Sequence, residues 1–243
     1  MNQVWVCVVC EHESVLSLPV EREGSLCENC MSTWRNRASV LAIGLHLGYG
    51  LLPLPKWPQN WAVQGAGCDD SPVLFSTLPT RTLYTNTHLE RFPYLDLTDI
   101  PEKYESSLDY FVCGDVLEHV ESGQLSNAII GIAKLLKPTG FAVISVPIVP
   151  DDLACEIYPD SKEAIVAGPS HVRWQTADGR WIDDYEPEFH GGSGRVLAFR
   201  RFSNSSIIEA VTKHGLTNVT YSPTGEALGI PPIDNGGIFV ARK

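Results

Sequence analysis

The segment from Leu108 to Pro147 most constrains the fold, because it reads as a strand, a helix and a second strand. An apolar run from Tyr110 to Cys113 comes first. A helix-like segment follows and is broken at Lys137-Pro138-Thr139-Gly140, and Phe141 to Val146 forms a second apolar run. Such a unit predicts parallel strands in an open α/β sheet, where the ligand crevice lies outside the carboxyl ends of the strands.

Three polar residues follow the first of these strands directly: Asp115, Glu118 and His119. Their position at the carboxyl end of the strand makes them candidates for chemistry. Of the three, His119 is the first candidate for a catalytic residue, because a histidine can accept a proton near neutral pH. Asp115 and Glu118 have the alternative role of shaping the crevice.

The length and charge of the chain limit its class. Its 243 residues can bury one substantial core with a small appended module. A net charge of -11 argues against a nucleic-acid binder that follows the phosphate backbone. The N-terminus does not resemble a secretory signal, and no apolar run reaches the length of a membrane span. We therefore expect a cytoplasmic protein without membrane segments.

Four of the seven cysteines form two closely spaced pairs, Cys7 with Cys10 and Cys27 with Cys30. Two-residue spacing lets both thiolates of a pair bind one tetrahedral ion, and the sixteen residues between the pairs suit a two-knuckle ribbon. We predict a structural zinc ribbon over residues 1–33. A redox pair or a recognition ribbon is the open alternative.

Residues 34–58 are predicted to be a connecting helix and a proline-rich linker. The helix is expected to begin near Ser32 and to end around residues 48–50, where glycines flank a tyrosine. Its Arg35 and Arg37 could meet a phosphate or carboxylate, or could lie on a solvated helix face. Three prolines within residues 53–58 exclude a helix or a central strand there.

Residues 59–243 are predicted to form the main domain. Its first strand leads into a turn at Gly65 and Gly67, where glycine lets the backbone approach a ligand. A second strand ends near Asn86, and a short third strand at residues 94–98 contains Asp96. Either a ligand contact or the capping of a turn would explain that aspartate.

The stretch from 151 to 194 shows no sustained period and predicts a substrate-side insertion. Its clearest feature is His190 beside three glycines. This position suits either a turn that faces a ligand or a structural role. Beyond it we expect an extended segment at 196–202 and a helix at 203–214 that is capped by Ser203 or Asn204 and stopped by Gly215. Strands at 216–221 and 237–241 would close the sheet as an antiparallel hairpin.

The order of these pieces resembles the class I S-adenosylmethionine-dependent methyltransferases. The resemblance covers about residues 60–243 and is most specific in Asp115-Val-Leu-Glu-His-Val120, in Leu135-Leu-Lys-Pro-Thr-Gly140 and in Ser145-Val-Pro147. It implies an α/β fold with a Rossmann-like, mostly parallel sheet of seven strands. Segments such as Phe199-Arg-Arg-Phe202 resemble a branch found beside glycan-modifying enzymes.

The resemblance also implies roles for single residues. The cofactor S-adenosylmethionine would transfer its methyl group to a small-molecule or glycan-like acceptor, with His119 or His190 as the general base. The cofactor-binding residues implied by the resemblance are Gly65 and Gly67 at the methionine moiety, Asn86 at the ribose, Asp96 at the adenine amine, and Gly114 and Asp115 near the sulfonium.

Two departures from the family pattern keep an alternative open. The glycine motif reads Gln64-Gly-Ala-Gly-Cys-Asp-Asp70 without a third glycine, and Asn86 replaces the usual acidic residue. The alternative is a degenerate methyltransferase fold that acts as a binding module, with the ribbon docking a protein or nucleic-acid partner. A nicotinamide dehydrogenase fits less well, because the closing hairpin and the Asp115–Val120 motif do not belong to it. The oligomeric state is left open.

Overall fold

Strands and helices alternate along the chain around one central sheet. The computed structural model of the protein describes residues 3–16, 22–190, 196–222 and 236–243. In chain order the described strands and helices are β1 (Gln3–Val6), β2 (Glu13–Leu16), α1 (Trp34–His46), β3 (Asn60–Cys68), α2 (Pro72–Thr77), β4 (Thr82–Thr87), β5 (Leu108–Gly114), α3 (Leu125–Leu135), β6 (Leu136–Ser145), β7 (Cys155–Glu156), β8 (Glu163–Gly168), β9 (His171–Gln175), β10 (Trp181–Asp184), β11 (Phe189–His190), β12 (Val196–Leu197), β13 (Arg200–Arg201), α4 (Asn204–Lys213), β14 (Thr217–Ser222) and β15 (Ile238–Arg242).

The central sheet has the strand order β14-β15-β6-β5-β3-β4. Strands β4, β3, β5 and β6 are mutually parallel, and β15 is antiparallel to both of its neighbours. The predicted mostly parallel sheet with an antiparallel C-terminal hairpin is therefore confirmed. The predicted loop of that hairpin falls mainly on residues 223–235, which lie outside the described residues.

The predicted third strand at 94–98 does not form, so the described part of the sheet has six strands instead of seven. Within that segment only Tyr94 makes a strand-like bridge, to His88. The Asp96 carboxylate accepts hydrogen bonds from the backbone N–H and the hydroxyl of Thr98, at 2.8 and 2.7 Å. Such local bonds compete with a strand ladder. As a result, β4 is the last of the described strands on its side of the sheet.

The predicted break at residues 137–140 is wrong, because α3 runs directly into β6 at Leu136 and these residues belong to the strand. Leu136 pairs with Leu108 of β5, and the register shifts before Tyr110 meets Phe141. An irregularity of this kind accommodates Pro138, which has no N–H to donate to a ladder.

Two apolar layers enclose the sheet. On one face, α1 covers a row of stacked rings. The centroid of the Tyr110 ring lies 5.8 Å from that of Tyr84 and 6.0 Å from that of Phe141. On the other face, α3 and α4 pack against the opposite side chains of β5 and β6. The predicted helix at α1 is confirmed; it is capped by Thr33, whose side chain accepts from the backbone N–H of Asn36.

The N-terminal cysteine segment shares the core of the first face. Trp5, Val8 and Val9 belong to the same buried cluster as Trp34 and Trp57. Arg37 of α1 is buried as well, and its guanidinium donates to the backbone carbonyls of Ser32 (2.6 Å) and Ser25 (2.9 Å). Arg37 therefore does not lie on a solvated face of the helix.

The insertion contains regular structure that its sequence pattern did not predict. Strands β8, β9 and β10 form a separate three-stranded antiparallel sheet, joined through Tyr158 and Val172 to a small core with Leu197 and Phe199. Strands β8 and β10 are short and largely exposed on both faces, so their alternation of apolar and polar residues is weak. Of the described residues, none belongs to a helix with the length and apolar character needed to cross a membrane.

Candidate functional site

A buried carboxylate lies just beyond the carboxyl end of β5. A single 3₁₀ turn, Leu117–His119, follows the strand and turns the Glu118 side chain inward, where it is only 2% exposed. Neither Glu118 oxygen has a hydrogen-bond partner among the described residues. Because burying a carboxylate without partners is costly, this side chain needs a compensating charge or ligand.

Two histidine rings lie beside this carboxylate, and His190 compensates its charge when it is protonated. Oε1 of Glu118 lies 3.6 Å from Nδ1 of His190 and 3.8 Å from Nε2 of His119. The rings of the two histidines meet edge to face, with 3.2 Å between Nδ1 of His190 and Nε2 of His119. One ligand atom from each of the three residues lies within 4.8 Å of the others. The structure thus brings together the two histidines that the sequence singled out, 71 residues apart in the chain.

The hydrogen bonds define how the two rings share protons. Nδ1 of His119 is 2.8 Å from the carbonyl oxygen of Leu197, so this nitrogen must carry the proton and donate. In the neutral ring Nε2 of His119 is then an acceptor for Nδ1–H of His190. The nearby Glu118 carboxylate raises the pKa of His190 above its usual value, although partial burial of the ring opposes this effect.

Arg200, in β13, fixes the turn that carries Glu118 and His119. Its guanidinium is buried and donates to the carbonyls of Leu117 (2.6 Å) and Val120 (2.7 Å) and to the carboxylate of Glu156 (2.6 Å). The backbone N–H of Phe199 donates to the carbonyl of Glu118 at 2.8 Å. In the sequence, this segment is notable only for its resemblance to a family, and nothing there indicates a role for Arg200.

Two arginines from the N-terminal part of the chain bind Asp115. Arg22, between the cysteine pairs, contacts both carboxylate oxygens, one of them at 2.8 Å, and Nε of Arg35 lies 3.3 Å from Oδ2. Burial alone would raise the pKa of Asp115, but the arginines outweigh it and the pKa is lowered. A Cβ on Gly114 would lie 3.0 Å from Nη1 of Arg35. The sequence offered no signal for Arg22.

Gly65 and Gly67 lie inside β3, not in the turn predicted after it. A Cβ at Gly65 would overlap the ring of Tyr110, and a Cβ at Gly67 would overlap Asp70 and the hydroxyl of Tyr84. On this face the glycines therefore make room for side chains of the protein itself. Their contact with a cofactor stays a prediction that concerns their backbone.

Asn86 is the last but one residue of β4 and is in register with Gly67 of β3. Its side-chain oxygen accepts from the backbone N–H of Asp70 at 3.0 Å, which ties the end of β4 to the loop after β3. Partial removal of the Asp70 carboxyl from water raises its pKa to about 7, and this carboxyl accepts a hydrogen bond from the Tyr84 hydroxyl. Asn86 and Gly114 thus share the edge of the sheet where parallel strands end, and Asp96 lies in the turn beyond β4.

The four paired cysteines converge at the N-terminus. Their sulfur atoms lie within 4.8 Å of one another, with Cys7 and Cys30 at 3.8 Å and Cys10 and Cys27 at 3.6 Å. Four ligands at about 2.3 Å from a tetrahedral centre are separated by about 3.8 Å, so the sulfur spacing fits one such ion.

Known proteins share parts of this sequence and its fold. No protein-family model matches the chain. It is 30% identical over 128 residues to the ubiquinone biosynthesis O-methyltransferase of Rickettsia conorii, a match that covers 53% of this chain and 40% of that protein. The protein of the same name from Rickettsia canadensis is 30% identical over 110 residues, covering 45% of this chain and 43% of the relative. The chain thus matches less than half the length of these curated relatives.

Solved structures share the arrangement of the sheet. An S-adenosylmethionine-dependent methyltransferase from Clostridium acetobutylicum superposes with a TM-score of 0.51 and 11% identity, over 84% of this chain and 90% of that chain. The likeness confirms the predicted fold, a methyltransferase-like α/β architecture around a central mixed sheet.

Proposed function

We propose that the chain is an S-adenosylmethionine-dependent methyltransferase. The observation that carries the proposal is the group formed by buried Glu118 with the partly exposed His119 and His190, placed at the carboxyl end of β5 in a methyltransferase-like fold. That edge of a parallel sheet is where ligands bind in open α/β folds. The curated relatives, which are named O-methyltransferases, support the same reaction class.

The residues at this edge suit the parts of the cofactor. Asn86 would contact the ribose and Asp96 the adenine amine, while the backbones of Gly65, Gly67 and Gly114 would approach the methionine moiety together with Asp115. The guanidinium groups of Arg22 and Arg35 lie beside Gly114 and Asp115, and both also pair with Glu23. Their N–H groups would donate to the cofactor's carboxylate.

The histidine pair would handle the proton of the acceptor. When bound, S-adenosylmethionine supplies a sulfonium methyl group, which the acceptor oxygen or nitrogen attacks in line as the carbon–sulfur bond breaks and a neutral thioether leaves. His190 would take the acceptor proton at Nε2. Glu118 would stabilise the resulting imidazolium, and His119 would hold the ring of His190 through Nδ1.

A small-molecule or glycan-like acceptor fits this site better than a nucleic acid. The chain carries a net charge of -11, and this overall charge repels a polyanionic acceptor.

The cysteine cluster would hold a structural Zn²⁺. All four sulfurs are used, so no position is left open for a substrate, as in closed structural sites. In a hairpin of this size the ion would supply much of the folding free energy.

A second candidate function is a binding module on a degenerate methyltransferase fold. Its supporting observation is the outer face of the β1–β2 hairpin, where Val4 and Val15 lie directly opposite each other and are 68% and 55% exposed. Such a face suits a protein partner.

Calorimetric titration with S-adenosylhomocysteine separates these candidates. We expect binding at one site per chain, weakened at least about tenfold by Asn86→Ala, which corresponds to about 1.4 kcal/mol. Asn127→Ala is the matched control, because this asparagine is exposed on α3. Absence of binding by the folded wild-type protein would refute the enzyme and favour the binding module.

Methyl transfer to candidate phenols and sugars is then measured with the wild-type protein and with His190→Ala. We expect the variant to bind the cofactor normally and to lose at least about a hundredfold in rate. An unchanged rate would remove His190 from the proposed mechanism.

A further inference from the structure

The carboxylate of Asp69 lies where the carboxyl ends of β3 and β4 meet. Asp69 follows β3 directly, and its backbone N–H donates to the carbonyl of Thr87, the last residue of β4, at 2.9 Å. Asp69 has a φ of 49°, in the left-handed region that favours glycine. Other residues persist in that region where the surrounding structure imposes it, and such positions cluster at functional sites. The position therefore points to a function of the aspartate side chain.

His88 fixes one oxygen of this carboxylate. Its Nδ1 lies 2.6 Å from Oδ1 of Asp69, and because an ionised carboxylate only accepts, Nδ1 carries the proton and donates. His88 is only 9% exposed, and its backbone is held by hydrogen bonds with Pro93 (2.9 Å) and Leu95 (2.8 Å). Oδ2 of Asp69 accepts no hydrogen bond from any described residue, and the side chain is 56% exposed. The carboxylate is thus held through one oxygen and offers the other to a ligand.

The neighbouring polar groups are already engaged within the protein. Asp70 accepts from the hydroxyl of Tyr84, and the Asp115 carboxylate is bound by two arginines. The side-chain oxygen of Asn86 accepts from the backbone N–H of Asp70 at 3.0 Å, and the amide carries no charge. A hydrogen bond to a charged acceptor is roughly twice as strong as one between neutral groups. Among these groups, Asp69 therefore offers the strongest acceptor for a hydroxyl group.

We propose that Asp69 binds the hydroxyl groups of the cofactor's ribose and that His88 is its positioning residue. The inference rests on the proposed use of S-adenosylmethionine. Ribose carries two neighbouring hydroxyl groups, which can donate to a carboxylate, and the amide of Asn86 would donate to the same sugar. The bond from His88 orients the carboxylate before the ligand arrives, which lowers the entropy lost on binding. The pair would thereby select a ribonucleoside over its deoxy counterpart.

Calorimetric titration with S-adenosylhomocysteine and with its 2′,3′-dideoxy analogue tests the role of Asp69. We expect Asp69→Asn to weaken binding of S-adenosylhomocysteine at least about tenfold, because the variant keeps the shape of the side chain and loses its charge. The wild-type protein should bind the analogue at least about tenfold more weakly than S-adenosylhomocysteine, and Asp69→Asn should add no further loss. Asp178→Asn is the control, since its carboxylate is 58% exposed in a turn of the insertion and its replacement should leave both affinities unchanged.

The outcomes separate this inference from the proposed function. Suppose that the wild-type protein binds S-adenosylhomocysteine. An Asp69→Asn variant that binds it equally well, or that loses affinity equally for both ligands, would then overturn the role of Asp69 and leave the proposed methyl transfer standing. Absence of binding by the folded wild-type protein would overturn both.

Two variants of His88 test its positioning role. His88→Leu removes the donor and should weaken binding of S-adenosylhomocysteine at least about threefold, while the affinity for the dideoxy analogue stays the same. His88→Asn keeps an N–H donor near the position of Nδ1 and should recover most of that loss. Far-ultraviolet circular dichroism verifies that each variant folds. Equal affinities of His88→Leu and the wild-type protein, or an equal loss for both ligands, would remove His88 from the proposed site.

Discussion

Replacing Arg200 should be among the most damaging single changes in this protein, although the residue contacts no expected ligand. Its guanidinium is 2% exposed and joins Glu156 to the carbonyls of Leu117 and Val120. Arg200→Met would leave the carbonyls of Leu117 and Val120 without their donor, whereas the Glu156 carboxylate is 41% exposed and stays solvated. Each buried acceptor left without a donor costs about 1–3 kcal/mol, so we expect a loss of roughly 2–5 kcal/mol for the two carbonyls. Arg200→Lys keeps one charged hydrogen bond and should recover roughly 1.5–3 kcal/mol of it.

Urea denaturation followed by tryptophan fluorescence measures this loss. Arg201→Met is the matched control: the neighbouring side chain is 44% exposed and pairs with Glu188, so its removal should cost less than about 1 kcal/mol. A loss below about 1 kcal/mol for Arg200→Met, or equal losses for the two positions, would refute the assignment of Arg200 as the anchor of the Leu117–His119 turn.

Three further outcomes follow from the same structure. If neutral His190 is the base, the rate of methyl transfer rises as pH increases through the raised pKa of His190. Glu118→Gln removes the charge that raises this pKa, so we expect the rise in rate to occur at lower pH in the variant. A pH–rate profile that the variant does not shift would contradict the pairing of Glu118 with His190. Burial raises the pKa of Asp70 from 3.8 to about 7, so its contribution to the free energy of unfolding is present at low pH and is lost as pH rises through about 7. Relative to Asp70→Asn, the wild-type protein should lose on the order of 4 kcal/mol between pH 4 and pH 8, measured by urea denaturation at each pH, and parallel curves would exclude this. One zinc ion per chain should be found by elemental analysis in the purified protein and be lost in Cys27→Ser; metal-free wild-type protein would rule out the proposed ion.

Local patterns in the sequence were sufficient for the main elements of the fold. The apolar runs before Asp115 and after residue 140 predicted the central strands β5 and β6. The capping of α4 by Ser203 and its end at Gly215, which has a positive φ of 97°, also followed from neighbouring residues alone. Such features depend on the propensities of a few consecutive residues, and a single sequence displays them directly.

Long-range contacts could not be predicted in this way. The pairing of Arg22 with Asp115 spans 93 residues, and nothing near either residue indicates the other. The requirement for glycine at position 65 also depends on a distant residue. The Tyr110 ring that occupies the space beside Gly65 comes from the neighbouring strand. The predicted strand around Asp96 failed for the opposite reason, since a local bond to Thr98 competes with the ladder.

The histidine pair lies between these cases. Each of His119 and His190 was singled out by its own neighbours, one by the acidic strand end and the other by the glycine-rich segment. Their 3.2 Å contact depends on the return of the chain through Leu197 and Arg200. The sequence therefore predicted the candidates, and the fold supplies the relation between them.

The shared core of the cysteine segment and the sheet gives the protein a built-in optical reporter. Trp34 and Trp57 are each 1% exposed, and they pack in one cluster with Trp5 and with two of the four clustered cysteines, Cys7 and Cys27. Indole emission shifts in wavelength when water reaches the ring, so loosening of the N-terminal segment would appear as an emission shift of Trp34 in α1 and of Trp57 in the segment that follows it. Binding and loss of the proposed ion would therefore be followed in real time without any attached dye.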